Sequence, residues 1–339
     1  MKPIPMVDVR DGGPVAYARA RTAAATELRD ACVPLPMWSH GVLKPIDKIA
    51  ADYLRRSGSP YRKELERVVD ILGFPGAMTL NMSYLFACTA ATEPDVSGAP
   101  SIRRSLDWPF HGLGKCVEIA RQAGPAGEFY NVTWPGAVGV LTAMAPGRFC
   151  ASINQAPMQR RTASTLGFAY DFAVNLKNAL AREGDWPPDH LLRYVFEHAP
   201  DFASAVEILS REPLARPALF AIAGAEPGET ALIERTERDA RIYRGAVVVA
   251  NDWQEPHAGW QARMNRENNV ARIAKMRECG PSDQLFDWVQ FPVLNRLTRL
   301  VVEMSAIGEG RLAARGYECA LFSGEPQRAT LDFHLHEAA

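Results

Sequence analysis

The sequence predicts an α+β fold in which helices and strands occupy separate blocks rather than alternating. Three observations lead there. The N-terminal segment carries strong helix formers between recognisable start and stop signals. The middle is rich in Val, Thr and aromatics and is cut into short runs by Gly and Pro. A helical block then returns, followed by a second strand-like block. That order suggests segregated layers of sheet and helix, not βαβ units.

The elements follow in order. Residues 16–35, "AYARARTAAATELRDACVPL", are rich in Ala, Arg and Glu and read as helix. Residues 45–58 open with Pro and Asp and close near Gly, as a helix should, and 60–74 repeat the pattern. The stretch 76–92 turns β-like or mixed, which puts a boundary close to Cys88. Residues 128–157 read as successive short strands with tight turns. Residues 166–211 turn helical. Residues 218–253 then read as three strands, with "AEPGE" and "TERDA" as their turns. A helix is expected over 265–279 and a last strand over 329–336.

Bulk properties exclude several function classes. The 339 residues allow one large domain or two smaller ones. With 38 basic against 39 acidic residues, no global field steers the chain to nucleic acid or an anionic membrane. No run approaches the roughly 20 apolar residues of a membrane span. The N-terminus lacks the apolar run of about 7–15 residues of a signal peptide, so a cytoplasmic location is expected. The six cysteines form no CxxC pair, so no zinc pattern is present and most should be buried free thiols. His334 and His336 stand two apart with no third ligand nearby. No glycine-rich phosphate loop is present, "GLGKC" being too short. No cofactor and no metal are therefore expected.

The chemistry concentrates at Cys88. Arg104 follows it by 16 residues and Asp107 by 19. A thiol needs a base or a lowered pKa to become a nucleophile. Cutting the chain before Cys88 would make it an N-terminal residue whose own amine, ordinarily near 7.7–8.0, can serve as the base. "EPDVSGAP" supplies a hairpin turn that returns Arg104 and Asp107 to the cysteine. There Arg104 can stabilise the thiolate and Asp107 can bond the new amine. Being three apart, the two need a twist or bulge to aim inward together. The alternatives are a buried inert thiol and a surface ion pair, the latter worth about 0–1 kcal/mol.

This constellation resembles the N-terminal-nucleophile hydrolases of the acid ceramidase and N-acylethanolamine acid amidase group, with choloylglycine hydrolases as more distant relatives. The resemblance rests on Cys88-Thr89, on Arg104-x-x-Asp107, on "GAVGVLTAMAPGRF" at 136–149, on "ANDW" at 250–253 and on "PVLNRLT" at 292–298. The matches fall in the family's order and cover most of the chain from 77 to 317. One departure is Gln155, where the ceramidase branch has an acid; another is that only Cys319 stands where the family has paired cysteines.

The resemblance implies a four-layer αββα sandwich preceded by a helical segment. Residues 1–87 would be the α chain and 88–339 the catalytic β chain, the two staying associated after self-cleavage of the Ala87–Cys88 bond. It implies Cys88 as nucleophile, Arg104 and Asp107 as the residues that orient it, and Asn251 as oxyanion donor. Asn154 would be a second asparagine of the site, and Arg266 the family arginine that follows Asn251. Trp108, Trp134 and Trp253 lie beside these motifs and could line an acyl pocket. The implied activity is hydrolysis of a linear amide, an N-acyl amine or N-acyl amino acid, through a thioester. The expected partners are that small molecule and, as a further possibility, a second copy of the chain in a homodimer; nucleic acid and stable membrane insertion are not expected. Acyl transfer from the same acyl-enzyme, and a non-catalytic binding protein on the same fold, are the alternatives.

Overall fold

A computed structural model of the chain describes residues 1–33, 37–82, 87–162, 167–262, 265–319 and 324–335. Strand β1 (Met6–Asp8) precedes helices α1 (Gly13–Cys32), α2 (Lys44–Arg56), α3 (Arg62–Leu72) and α4 (Ala77–Asn81). Strands β2 (Ala87–Pro94), β3 (Pro100–Asp107), β4 (Glu118–Gly124), β5 (Gly127–Thr133), β6 (Thr142–Ala145), β7 (Phe149–Gln155) and β8 (Met158–Gln159) follow. Next come α5 (Phe168–Ala181), α6 (Pro188–His198) and α7 (Phe202–Arg211). Strands β9 (Ala218–Gly224), β10 (Thr230–Arg235), β11 (Ala240–Arg244), β12 (Val247–Val249) and β13 (Trp260–Gln261) lead to α8 (Arg266–Cys279). The last described elements are β14 (Thr298–Ser305), β15 (Arg311–Glu318), β16 (Gln327–Arg328) and β17 (Phe333–Leu335).

Two sheets form the centre. The larger runs β1-β4-β5-β6-β7-β9-β10-β11, and the smaller runs β12-β2-β3-β14-β15-β16 with β17 paired to β15. Strands β2 and β3 pack face to face on β7 and β9, helices α6 and α7 cover the outer face of the larger sheet, and α8 covers β2 and β12. The four expected layers, helix–sheet–sheet–helix, are present. The inward strands read as unbroken apolar runs because both faces are covered: all seven residues of β9 are buried.

Local chemistry sets the elements. Asp201 caps α7 by accepting from the Ser204 N–H at 2.8 Å. Helix α6 starts at Pro188 with Asp189 in its first turn and buries Leu191, Leu192, Val195 and Phe196. Gly73 ends α3 with φ 65, a left-handed cap that costs a residue with a Cβ.

The N-terminal segment is not purely helical. Met6, Val7 and Asp8 pair in parallel with Ile119, Ala120 and Arg121, so β1 forms one edge of the larger sheet. Three residues are too short a run for a period-2 pattern to register. Side chains tie the segment down further. Asn81 accepts from the Val138 N–H at 2.8 Å and donates to the Gly136 carbonyl at 3.0 Å, and Ser59 Oγ lies 2.7 Å from His190 Nδ1. The hydrophobic core runs from Leu28, Leu54, Leu65 and Val68 into Phe129, Phe149 and Phe196 without a break.

Two further differences from the expectation concern strands. The 218–253 block forms four strands, not three, because β12 turns to join the other sheet beside β2. The hairpin β14–β15 is absent from the sequence reading, although its register runs from Leu300↔Gly316 to Ser305↔Arg311. No helix among the described residues is long and apolar enough to cross a membrane.

Candidate active site

Cys88 is the second residue of β2, in the middle layer between the sheets. Strands β2 and β3 form the expected hairpin. Asp95 accepts from the Ala99 N–H through its side chain at 3.0 Å, and Gly98 turns the chain with φ 87. The register pairs Ala87 with Asp107, Cys88 with Leu106 and Ala90 with Arg104, without interruption. The bulge expected between Cys88 and its partners is therefore not in this hairpin. It lies on the next strand, between Thr298 and Leu300 of β14.

Residues three apart on a regular strand face opposite sides of the sheet. Arg104 faces inward with Cys88, and Asp107 faces outward toward α8. Arg104 Nη2 donates to Cys88 Sγ at 3.0 Å and to the Ile153 carbonyl at 2.9 Å. Its Nη1 donates to Thr142 Oγ1 and, at 3.3 Å, to the Leu141 carbonyl. This cation is thus fixed by acceptors at Ile153 of β7, at Thr142 of β6 and at Leu141 just before β6, and Nη2 also meets the sulfur. Burial pushes the Cys88 thiol up from its ordinary value, and Arg104 works against that shift.

The main chain of Cys88 is gripped from the other side. Its N–H donates to Asn251 Oδ1 at 3.0 Å, and its carbonyl accepts from Arg272 Nη1 at 2.8 Å. Arg272 Nη2 also donates to Asn251 Oδ1 at 3.1 Å and to Asn269 Oδ1 at 2.5 Å. At its other end Asn251 donates to the Gln155 carbonyl at 2.8 Å. Two donors at one end and an acceptor at the other fix which way this amide points. Among the described residues the Gln155 carbonyl is the acceptor that Asn251 Nδ2 meets.

Asp107 Oδ1 accepts from Thr298 Oγ1 at 2.8 Å, and Oδ2 accepts from Asn295 Nδ2 at 3.0 Å and Arg272 Nη1 at 3.4 Å. Burial raises its carboxyl, with the Arg272 charge and these two donors opposing. In this uncut chain the Cys88 N–H goes to Asn251, not to Asp107. Asn154 donates to the Ala250 carbonyl at 3.0 Å, and its buried Oδ1 has no hydrogen-bond partner among the described residues.

The structure brings Cys88, Arg104, Asp107, Asn251 and Asn154 into one buried cluster. It does not bring Arg266 there. Arg266 is the first residue of α8, its side chain 74% exposed and 3.9 Å from Asp252. Arg272, on the same helix, holds the interior position. The signal for it lies in the spacing Asn269–Arg272–Met276, which places all three on one helix face, and all three are buried. Asn295 and Thr298, inside "PVLNRLT", and Thr142 were likewise not assigned roles from sequence. Replacing Arg266 by Ala is expected to change stability by less than about 0.5 kcal/mol, measured by urea unfolding.

The tryptophans divide. Trp108 and Trp134 meet edge to face at 5.7 Å and line a small apolar cavity with Leu28, Leu72 and Leu141. Trp253 lies apart, 5.6 Å from Trp260. No group of three or more His, Cys, Asp and Glu able to hold a metal occurs among the described residues. His336 lies outside them.

No family model matches the chain. It is 26% identical over 196 residues to the N-acylethanolamine-hydrolyzing acid amidase of Cavia porcellus, covering 56% of this chain and 52% of that one. It is 26% identical over 289 residues to the acid ceramidase of Heterocephalus glaber, covering 76% and 70%. Against the former, then, the match spans about half of the relative's length. Among solved structures, the Caenorhabditis elegans ortholog of N-acylethanolamine-hydrolyzing acid amidase superposes with a TM-score of 0.50 at 21% identity, covering 65% of this chain and 93% of that one. The chain resembles the acid ceramidases and N-acylethanolamine acid amidases, and its fold is that of the N-terminal-nucleophile hydrolases.

Proposed function

We propose that this acid-ceramidase-like chain is a cysteine amidase that becomes active by cutting its own Ala87–Cys88 bond. The observation that carries the reading is the placement of Arg104 Nη2 3.0 Å from Cys88 Sγ while Asn251 and Arg272 hold the Cys88 main chain. Sulfur and backbone nitrogen of one residue are thereby aimed from opposite sides of a strand. An inert buried thiol has no use for a buried guanidinium.

In the self-cleavage step the Cys88 sulfur attacks the Ala87 carbonyl carbon. The C–N bond breaks, the nitrogen takes the proton, and water hydrolyses the resulting thioester. This leaves a carboxylate on Ala87 and a free amine and thiol on Cys88. In turnover that amine takes the thiol proton and the thiolate attacks the substrate carbonyl. The Asn251 side-chain amide steadies the oxyanion, a contribution of about 3 kcal/mol for a well-placed donor. The ammonium then protonates the leaving nitrogen, and the regenerated amine activates water against the acyl-enzyme. Asp107, held by Thr298 and Asn295, keeps negative charge beside Arg272, which bridges it to Asn251 and the Cys88 carbonyl.

The substrates are linear amides with an apolar acyl group. Residues 1–87 stay bound after the cut, because β1 is a strand of the larger sheet and Asn81 bonds both partners of its loop. The uncut chain is the closed form, with Cys88 0% exposed. Iodoacetamide at pH 7 is therefore expected to spare Cys88 in uncut protein and to label it after cutting; equal labelling of both would contradict a closed precursor. Turnover is tested by incubating cut protein with N-acyl ethanolamines, N-acyl amino acids, N-acyl sphingoid bases and penicillin V. Release of the free acid from at least one is expected. Silence across the panel rules the hydrolase reading out.

A further inference from the structure

We propose that Glu234 is a positioning residue for the candidate site: its ionised carboxylate reaches across from the larger sheet and holds the turn that carries Asn251 in the conformation turnover needs. The link to turnover rests on the amidase reading; the hold on the turn does not.

Asn251 stands in an irregular turn, 250–254, between β12 and β13. The turn is pinned at three points. Asn154 of β7 donates to the Ala250 carbonyl at 3.0 Å, and Asn251 donates to the Gln155 carbonyl at 2.8 Å. Both of these pins lie at its start. The third is Glu234 of β10, whose Oε1 accepts from the Gln254 N–H at 2.5 Å. It holds the far end of the turn, three residues beyond Asn251. There the Gln254 side chain also donates back to the Val248 carbonyl of β12 at 3.2 Å.

Strand alternation puts the carboxylate in place. The neighbouring Arg235 turns toward α7 and reaches the Glu212 carbonyl at 2.7 Å. Glu234 therefore faces the smaller sheet, and it is 3% exposed. Its cross-strand neighbours are Leu219 of β9 on one side and Arg241 of β11 on the other. The Arg241 charge acts on the carboxylate, and the Tyr243 side chain, two residues along β11, hydrogen-bonds it. Arg241 is about half exposed and shared with Glu255 at 3.8 Å. A buried carboxylate with so weak a counter-ion is costly. A neutral Gln could accept from the same N–H, but a charged acceptor makes a bond roughly twice as strong.

The ionised carboxylate only accepts, and both the Gln254 N–H and the Tyr243 O–H donate. Protonation sets a donor against these donors and weakens the hold. The far end of the turn then loosens, and Asn251 is aimed less well at the oxyanion.

Burial raises the Glu234 carboxyl to about 7, with Glu255 adding to the rise and the Gln254 N–H, Arg241 and Tyr243 opposing it. The other charged groups around the carboxylate are Glu237, Arg238 and Asp239 after β10, Arg182 after α5 and His257 after β12. The hold therefore strengthens as pH rises through about 7. Stability runs the other way. A carboxyl whose folded pKa lies above its ordinary value of about 4 loses stability as pH rises from there to the folded pKa. The opposite signs separate positioning from a merely structural role.

The test is kcat and KM from pH 5.5 to 8.5 for cut wild-type protein and cut Glu234→Gln, on an amide of the panel above that the wild type hydrolyses. The Cys88 amine titrates in both, so the ratio of the two kcat values isolates Glu234. That ratio is expected near 1 at pH 5.5 and about tenfold by pH 8, with KM changed less than about twofold. A ratio flat in pH, or an effect on KM alone, overturns the positioning role. If Glu234→Gln does not fold, Arg241→Met decides. It keeps the carboxylate but removes the charge that opposes the raised pKa, so the wild-type advantage in kcat should pass through a maximum near pH 7 and vanish by pH 8.5. No such maximum overturns the role. The hold itself is read by hydrogen–deuterium exchange over residues 248–256 in the uncut full-length Cys88→Ala chain, corrected for the intrinsic exchange rate. Protection should rise from pH 6 to pH 8 and stay flat when Glu234→Gln is added. Protection that rises while no amide is turned over upholds the hold and sinks the amidase reading. Turnover with flat protection and a flat kcat ratio does the reverse.

Discussion

Replacing Cys88 by Ala is expected to leave the chain as one 37.3 kDa species and to remove its amide hydrolysis, by at least about 10⁴-fold. Both effects follow from one atom. In the proposed mechanism the sulfur attacks Ala87 in the precursor and the substrate in the cut chain. The variant should still fold, since β2 pairs on both sides and alanine already occupies Ala87, Ala90 and Ala91. Far-UV circular dichroism and intact mass check this together. A folded Cys88→Ala chain that is still cut before residue 88, or still hydrolyses amides, requires another nucleophile.

The second large effect is expected at Arg272. Arg272→Met keeps most of the volume but takes the guanidinium away from buried Asp107, removes the donor to Asn269 Oδ1 and leaves Asn251 Oδ1 with the Cys88 N–H alone of its two donors. Removing one partner of a buried pair costs about 3–5 kcal/mol, which urea unfolding can read. The loss has a sign in pH. Asp107 already sits above its ordinary value through burial, and removing Arg272 raises it further. A carboxyl with a raised folded pKa loses stability as pH rises through that pKa, so the deficit should be largest at neutral pH. It should shrink below the ordinary carboxylate value of about 4. A deficit that is flat in pH would mean that Arg272 acts through packing alone. Turnover should also fall about 100-fold or more, because Asn251 loses one of the donors that set its orientation.

The grouping of Cys88, Arg104, Asp107 and Asn251 into one buried cluster was legible in sequence, for identifiable reasons. Cys88, Arg104 and Asp107 sit on one hairpin, and a hairpin converts sequence spacing directly into spatial pairing. Asn251 follows the strand beside β2, so a single ladder, Val249↔Ala90, brings it close. Arg272 was not read because it depends on the phase of a helix relative to a sheet far away in sequence. Within α8 a charged residue at 266 and one at 272 look alike, and only the buried triplet with Asn269 and Met276 separates them. The bulge was expected beside Cys88 and occurs on β14, because Arg104 and Asp107 act from opposite faces of the sheet and need no common aim. The layers were legible from blocks of composition, while the three-residue β1 was too short to leave a pattern. The β14–β15 hairpin carries the ordinary strand signal of an apolar run, "TRLVVEMS".

The measurement closest to the central claim is intact-mass analysis with N-terminal sequencing of purified, folded protein, followed by turnover of the same sample. Two fragments that co-elute are expected, the larger beginning Cys-Thr-Ala-Ala, with amide hydrolysis that rises in step with their appearance. Protein that hydrolyses amides while the Ala87–Cys88 bond stays intact would contradict it.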